Sequence, residues 1–125
     1  DNLSNTTPQY NGNISAMLWK TEGDDVPTRG YSFIYDGLNR LTDAHYGEGL
    51  TLESGTGKYS MSVPDYDANG NIKKLNRYFR GIKVDELTYT YENNNQSNRL
   101  LSVADDGTSN SNVKDYDAIS AGTYT

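Results

Sequence analysis

The sequence predicts an all-β fold, a twisted antiparallel sheet of successive hairpins with essentially no helix. Aromatic and β-branched residues alternate with polar ones at the two-residue period of a strand, as in Tyr31-Ser32-Phe33-Ile34-Tyr35 and Tyr59-Ser60-Met61-Ser62-Val63. Gly-containing turn dipeptides stand between such runs, Asp36-Gly37, Asn69-Gly70 and Arg80-Gly81 among them. No segment sustains the 3.6-residue period of an amphipathic helix.

Residues 1–8 read as a polar lead-in and 9–125 as the structured segment. After the turn at Asn11-Gly12, Ile14 to Trp19 is a strand with apolar residues on both faces, which leaves Trp19 to meet a partner surface. Lys20 to Gly30, with three acidic residues and Pro27, reads as a loop. Tyr31 to Tyr35 is the next strand. Asp36-Gly37 predicts a type I′ turn with positive φ at both central residues, and the return strand opens at Arg40-Leu41-Thr42. Gly47 to Gly57 is a Gly-rich connection, and Tyr59 to Val63 a strand that Pro64 closes. A hairpin with Asn69-Gly70 at its tip leads to the return strand Ile72 to Phe79. Arg80-Gly81 then turns into Val84 to Tyr91, where Leu87, Tyr89 and Tyr91 share a face. An Asn-rich turn and Asn98 to Val103 follow, and Asp105-Asp106-Gly107 leads into a Ser/Asn stretch.

Composition narrows the functional classes. Only 34% of the 125 residues are hydrophobic and the mean hydropathy is −0.84, so the 11 tyrosines must supply much of the buried surface. The net charge of −6 opposes binding to a nucleic-acid backbone or an anionic membrane surface. Without cysteine there is no disulfide and no thiolate zinc site. No apolar run approaches the roughly 18 residues of a spanning helix, and the N-terminus lacks a signal-peptide pattern. The polar start and the end at Thr125 suggest a piece of a longer chain.

Two hairpin types alternate. Tyr35 and Tyr91 are 91 − 35 = 56 residues apart; so are Tyr10 and Tyr66, 66 − 10 = 56. From each of the latter to the next of the former is 25 residues, 35 − 10 and 91 − 66. Such periodicity marks a repeat architecture, whose units cannot bury a face alone. The repeat-motif residues are Tyr10, Gly12 and Asn13; Tyr35, Asp36, Gly37, Asn39, Arg40 and Leu41; Tyr66, Asp67, Asn69, Gly70 and Asn71; and Tyr91, Asn98, Arg99 and Leu100. Near the end, Gly122-Thr123-Tyr124-Thr125 looks like the opening of a further, truncated repeat.

Tyr35-Asp36-Gly37-Leu38-Asn39-Arg40-Leu41 and Tyr66-Asp67-Ala68-Asn69-Gly70-Asn71-Ile72 resemble the Tyr-Asp (YD) repeats of the rearrangement-hotspot (RHS) family, in the versions carried by large bacterial surface and secreted proteins. Asn11 and Glu92 depart from the Asp of the pair, and the second hairpin carries three extra residues, 98 − 39 = 59 against 56. The resemblance implies a non-catalytic wall segment of a β-sheet shell that encloses or presents a toxin-like C-terminal polypeptide. It also implies neighbouring repeats of the same parent chain as partners, and a secreted or cell-surface location. The alternative is a carbohydrate-binding adhesion module, since rows such as Tyr31, Phe33, Tyr35 and Tyr89, Tyr91 could stack on sugar rings of a glycan. The isolated segment is expected to self-associate through its outer strands.

No chemistry is expected of the remaining candidates. Asp65-Tyr66-Asp67-Ala68-Asn69-Gly70 matches the first six positions of a helix-loop-helix calcium loop, but the twelfth is Asn76 and the flanks are strands, so a hairpin turn is the preferred reading. His45 is the only histidine and reads as a strand residue. Arg40 and Arg99 occupy matching places and are expected in turn-closing ion pairs, Arg40 with Asp36 or Asp43. No cofactor and no metal are called for.

Overall fold

The computed structural model describes residues 6, 8–23, 25–55 and 57–108. Seven strands, β1 (Ala16–Trp19), β2 (Arg29–Tyr35), β3 (Leu41–Glu48), β4 (Met61–Tyr66), β5 (Ile72–Phe79), β6 (Ile82–Tyr91) and β7 (Leu100–Asp105), form an antiparallel sheet in sequential order. Among the described residues the helical content is one turn, Glu92–Asn95, in which Asn93 and Asn94 are left-handed with φ of 54° and 55°. No helix among them is long and apolar enough to cross a membrane. The chain divides into two compact units, one of residues 1–61 with 78–81 and the other of 62–77 with 82–125.

In the first unit the pleat sorts the residues of β1 to β3 onto two faces. Met17 lies opposite Tyr31, Tyr31 opposite Tyr46, and Phe33 opposite Ala44, so these residues share one face with Trp19 and Arg29. Leu18, Gly30, Ser32, His45 and Gly47 take the other. There the 49–57 connection folds back, and Leu52, buried and at a positive φ of 58°, seats against Gly30 and Gly47. In the second unit Val63, Val84, Leu87, Tyr91 and Val103 are buried, and Asp85 is completely enclosed and paired with Arg77. The Asp105 carboxylate accepts the N–H of Glu86 at 2.9 Å and of Gly107 at 2.8 Å, which keeps the chain beyond β7 against β6.

Three local expectations are corrected. Asp36-Gly37 does not form a two-residue type I′ turn. Asp36 N–H bonds Arg40 O at 2.9 Å and Asn39 N–H bonds Asp36 O at 3.0 Å, so Gly37, Leu38 and Asn39 make a three-residue loop, and Asn39 rather than Gly37 has the positive φ, 61°. The Asp36 carboxylate rewards this arrangement by accepting two further backbone N–H groups, which a two-residue turn would not present to it. A two-residue hairpin turn with positive φ at both positions occurs instead at Arg80 and Gly81, φ 50° and 80°. Pro64 does not close β4, which continues to Tyr66, and β2 starts at Arg29, two residues inside the expected loop. The expected repeat opening at Gly122 to Thr125 lies outside the described residues.

At Asp67 to Asn71 the same three-residue loop forms, with Asp67 N–H to Asn71 O at 2.9 Å, Gly70 N–H to Asp67 O at 3.1 Å, and Gly70 at φ 84°. Space around Gly70 is open, so any penalty for a side chain there comes from the backbone alone. Gly70→Val is therefore expected to lower stability by about 2 kcal/mol, and Gly70→Asn by clearly less, because Asn tolerates this region and a β-branched residue does not. Thermal unfolding of the two variants checks the ordering; equal melting temperatures would contradict the turn.

Candidate functional site

The repeat-motif residues converge on interlocked turns, one set in each unit. Asp36 is the hub of its loop: Oδ1 accepts the N–H of Leu38 at 2.8 Å and of Arg40 at 2.9 Å, and Oδ2 pairs with Arg40 Nε at 2.6 Å. Asp67 repeats this with Asn69 N–H at 2.9 Å and Asn71 N–H at 2.8 Å, and Asn71 Nδ2 replaces the guanidinium at 2.9 Å. A short carboxylate at this position reaches back onto its own turn, which accounts for the Asp of each Tyr-Asp pair.

The neighbouring turn is then clasped by amide side chains. Asn11 Nδ2 and Asn13 Nδ2 both donate to Asn39 Oδ1, at 2.6 and 3.4 Å; Asn71 Nδ2 donates to Asn98 Oδ1 at 2.9 Å, and Asn69 Nδ2 to Gln96 O at 3.3 Å. The tyrosine of the pair ties down the strand alongside: Tyr35 OH donates to Ile14 O and Tyr91 OH to Ile72 O, each at 2.8 Å. These acceptors are 72 − 14 = 58 residues apart while the tyrosines are 56 apart, so the stretch from acceptor to tyrosine is two residues longer in the first copy, 21 against 19.

The departures from the motif have structural stand-ins. Asn11 keeps the acceptor role of Asp67, its Oδ1 taking Asn13 N–H at 3.1 Å. Around Glu92 the longer loop supplies Asn95 Oδ1 for Tyr91 N–H at 2.8 Å and Ser97 Oγ for Arg99 N–H at 3.1 Å, while Glu92 pairs with Arg99 at 3.4 Å. Tyr10 stands apart from its clasp, almost fully exposed, and Gly12 serves by its φ of 89°. Leu41 and Leu100 open the return strands half-buried. The Ile14 and Ile72 carbonyls, Gln96 and Asn95 belong to the site but escaped the sequence reading; the shared 58- to 59-residue offset of Asn13/Asn71, Ile14/Ile72 and Asn39/Asn98 was the available signal.

The residues of the calcium-like stretch are engaged within this turn. Donors on Asn69 and Asn71 surround the Asp67 carboxylate, and Asp65 pairs with Lys73 at 3.2 Å. Among the described residues no cluster of three His, Cys, Asp or Glu side chains is arranged to hold a metal ion.

On one face of the first unit the aromatic rings form a continuous row. Trp19 lies 5.8 Å from Tyr31, Tyr31 5.6 Å from Tyr46, Tyr46 5.1 Å from Tyr59 in an edge contact, and Tyr59 5.7 Å from Phe79, over which Arg80 stacks. Tyr46 is buried, whereas Trp19 keeps 36% and Tyr59 51% of its surface exposed. Burial and the bond to Glu48 push the Tyr46 hydroxyl up to about 12. On the opposite face a hollow of about 350 Å³ is bordered by Ser32, Ile34, His45, Leu52 and Ser60; Ser32 lies across from His45, with no hydrogen bond between their side chains.

The turn carboxylates make stability pH-dependent. The Arg40 N–H, and then its guanidinium, hold Asp36 below the usual carboxylate range; Glu48 is lowered chiefly by Lys58. For Asp67 desolvation works upward, but the bonds from Asn71 and Asn69 outweigh it and the net direction is down. A carboxyl whose folded pKa is depressed stabilises the fold above its unfolded pKa of about 4 and loses that contribution as pH falls through the folded value. The urea midpoint is therefore expected to stay level from pH 7 to about 5 and to drop below about 4. The variant carrying both Asp36→Asn and Asp67→Asn should start lower at pH 7 and show a shallower drop.

No protein-family profile, curated protein or solved structure matches this chain.

Proposed function

We propose that this chain is a structural repeat segment of the RHS/YD type, a non-catalytic stretch of sheet wall that meets further repeats of the same parent chain. By the same reading it belongs to a secreted or surface protein whose shell encloses or presents a C-terminal polypeptide. The observation that carries it is the recurrence of one clasp in both units: a Tyr hydroxyl on an Ile carbonyl, a turn closed by its own side-chain acceptors, and an Asn amide reaching the next turn. The motif residues are thereby committed to joining one hairpin to another.

A structural array makes a prediction that a self-contained binding domain does not. Stability in such an array is the sum of unit and nearest-neighbour terms, so it grows with the number of units until neighbours are saturated. Two and three copies of the whole chain joined head to tail should show urea midpoints that climb with copy number. Midpoints identical to that of the single chain would overturn the reading.

The second reading, carbohydrate binding, is favoured by one observation, the partly exposed rings of Trp19 and Tyr59 within the row. A glycan array probed with the full chain separates the two, because saturable binding lost in Trp19→Ala and Tyr59→Ala belongs to the second alone.

A further inference from the structure

Asn11-Gly12-Asn13-Ile14 and Asn69-Gly70-Asn71-Ile72 are identical tetrapeptides, one in each unit. Asparagine before glycine is the pair at which a chain most readily modifies itself. The backbone nitrogen of the glycine attacks the side-chain amide carbon, and glycine has no side chain to hinder the approach. Both pairs are exposed, and both glycines lie in open space with similar backbones, at φ of 89° and 84°. Local sequence and sterics therefore give the two sites no reason to differ. Their hydrogen bonds do.

At Asn69 the attacking nitrogen is engaged. Gly70 N–H donates to Asp67 O at 3.1 Å, and Asn69 Nδ2 donates to Gln96 O at 3.3 Å. The Gly70 proton has to leave before the nitrogen can attack, so this turn must first open. Gly12 N–H has no hydrogen-bond partner among the described residues, and hydroxide reaches its proton directly. The carbon under attack differs as well. Asn11 Oδ1 accepts Asn13 N–H at 3.1 Å, a donor placed where negative charge collects as the amide carbon is attacked. The matching donor of the second unit, Asn71 N–H, is taken at 2.8 Å by the Asp67 carboxylate instead. The Asp of the Tyr-Asp pair thus shields the Asn-Gly of its own turn, and the first turn has Asn11 in its place.

We propose that Asn11 is a self-modification site of the folded chain. Hydroxide takes the Gly12 amide proton, the nitrogen bonds to Asn11 Cγ, and the bond from Cγ to Nδ2 breaks, releasing ammonia with protons from water. Water then opens the cyclic imide at either carbonyl, leaving aspartate or isoaspartate at position 11. Either product lacks the Nδ2 donor that meets Asn39 Oδ1 at 2.6 Å, and in isoaspartate the main chain also runs through the former side chain. Of the two amide contacts to Asn39, only that of Asn13 Nδ2, at 3.4 Å, is left. The chemistry needs this turn alone and is the same whether or not the chain belongs to an array.

Peptide mapping by mass spectrometry, on the full chain aged at mildly alkaline pH, tests the site. Asn11 should convert about tenfold faster than Asn69 while the chain is folded, because only Asn69 waits for its turn to open. In urea the two rates should converge, since the tetrapeptides are the same. Ageing should also lower the urea midpoint of the parent and leave that of Asn11→Ser unchanged, because serine keeps an acceptor for Asn13 N–H and has no amide to lose. Equal rates in the folded chain would overturn the proposal, and so would a preference for Asn11 that persists in urea. A midpoint that stays level after Asn11 has converted would overturn the loosening of the clasp.

Discussion

Tyr46→Ala is expected to lower folding stability by about 4 kcal/mol, in the range for removing a buried aromatic side chain. Tyr46 is 3% exposed and its ring touches those of Trp19, Tyr31 and Tyr59. Truncation removes the buried ring together with its edge contacts to Tyr31 and Tyr59 and its tilted contact with Trp19. The loss is large against a total of roughly 5 to 15 kcal/mol for a domain of this size. Tyr46→Phe keeps the ring and breaks the 3.1 Å bond to Glu48, so it should cost only about 1 kcal/mol. The raised hydroxyl adds a second signature. A tyrosine whose folded pKa lies above its unfolded value of about 10 contributes stability that is present below that pH and lost as pH rises toward 12. Tyr46→Phe should therefore flatten the alkaline limb of the stability curve. Urea unfolding of the two variants at pH 7 and across pH 9 to 12 measures both effects, and a Tyr46→Ala midpoint within error of the parent would show that the row is not packed as described.

Gly47→Ala should cost about 3 kcal/mol, toward the upper end for overpacking by a single methyl group. A Cβ at residue 47 would lie 2.2 Å from Leu52 O and 2.7 Å from Leu52 C, and these are backbone atoms that cannot rotate aside. Relief requires the 49–57 connection to lift, which would expose Leu52 and free its left-handed backbone. Gly37→Ala is the instructive contrast. Nothing lies within 4 Å of its would-be Cβ, and its φ is outside the left-handed region, so the change should be neutral or stabilising by up to about 0.5 kcal/mol. A type I′ turn at Asp36-Gly37 would have made the same substitution costly. Calorimetric melts of the two variants decide both points together.

The alternation of large and polar residues located the strands because it follows from the pleat, which acts residue by residue, but it missed several ends: β1 starts at Ala16 rather than Ile14, β4 at Met61 rather than Tyr59, and β7 at Leu100 rather than Asn98. Ile72 to Phe79 agrees to the residue with β5, and the hairpin tips at Asp36 to Asn39 and Asp67 to Gly70 fall where Gly and Asn demanded them. Turn type was not legible at Asp36-Gly37. The dipeptide preference was overridden by a carboxylate with three donors to satisfy, and Asn39 could take the left-handed position that Gly37 was expected to fill.

What the sequence determined by itself is the all-β class, the strand order implied by successive hairpins, and the repeat with its Tyr-Asp and Asn positions, since each depends on short-range spacing. The tertiary structure alone decided which motif atoms meet. The Asn13 to Asn39 and Asn71 to Asn98 contacts join residues 26 and 27 apart, and Tyr35 reaches the Ile14 carbonyl across 21. It also decided that Leu52 would be buried on Gly30 and Gly47 and Asp85 enclosed beside Arg77. Nothing local marks a leucine in a Gly-rich connection or an aspartate in a strand for burial, because burial is set by what other strands bring alongside.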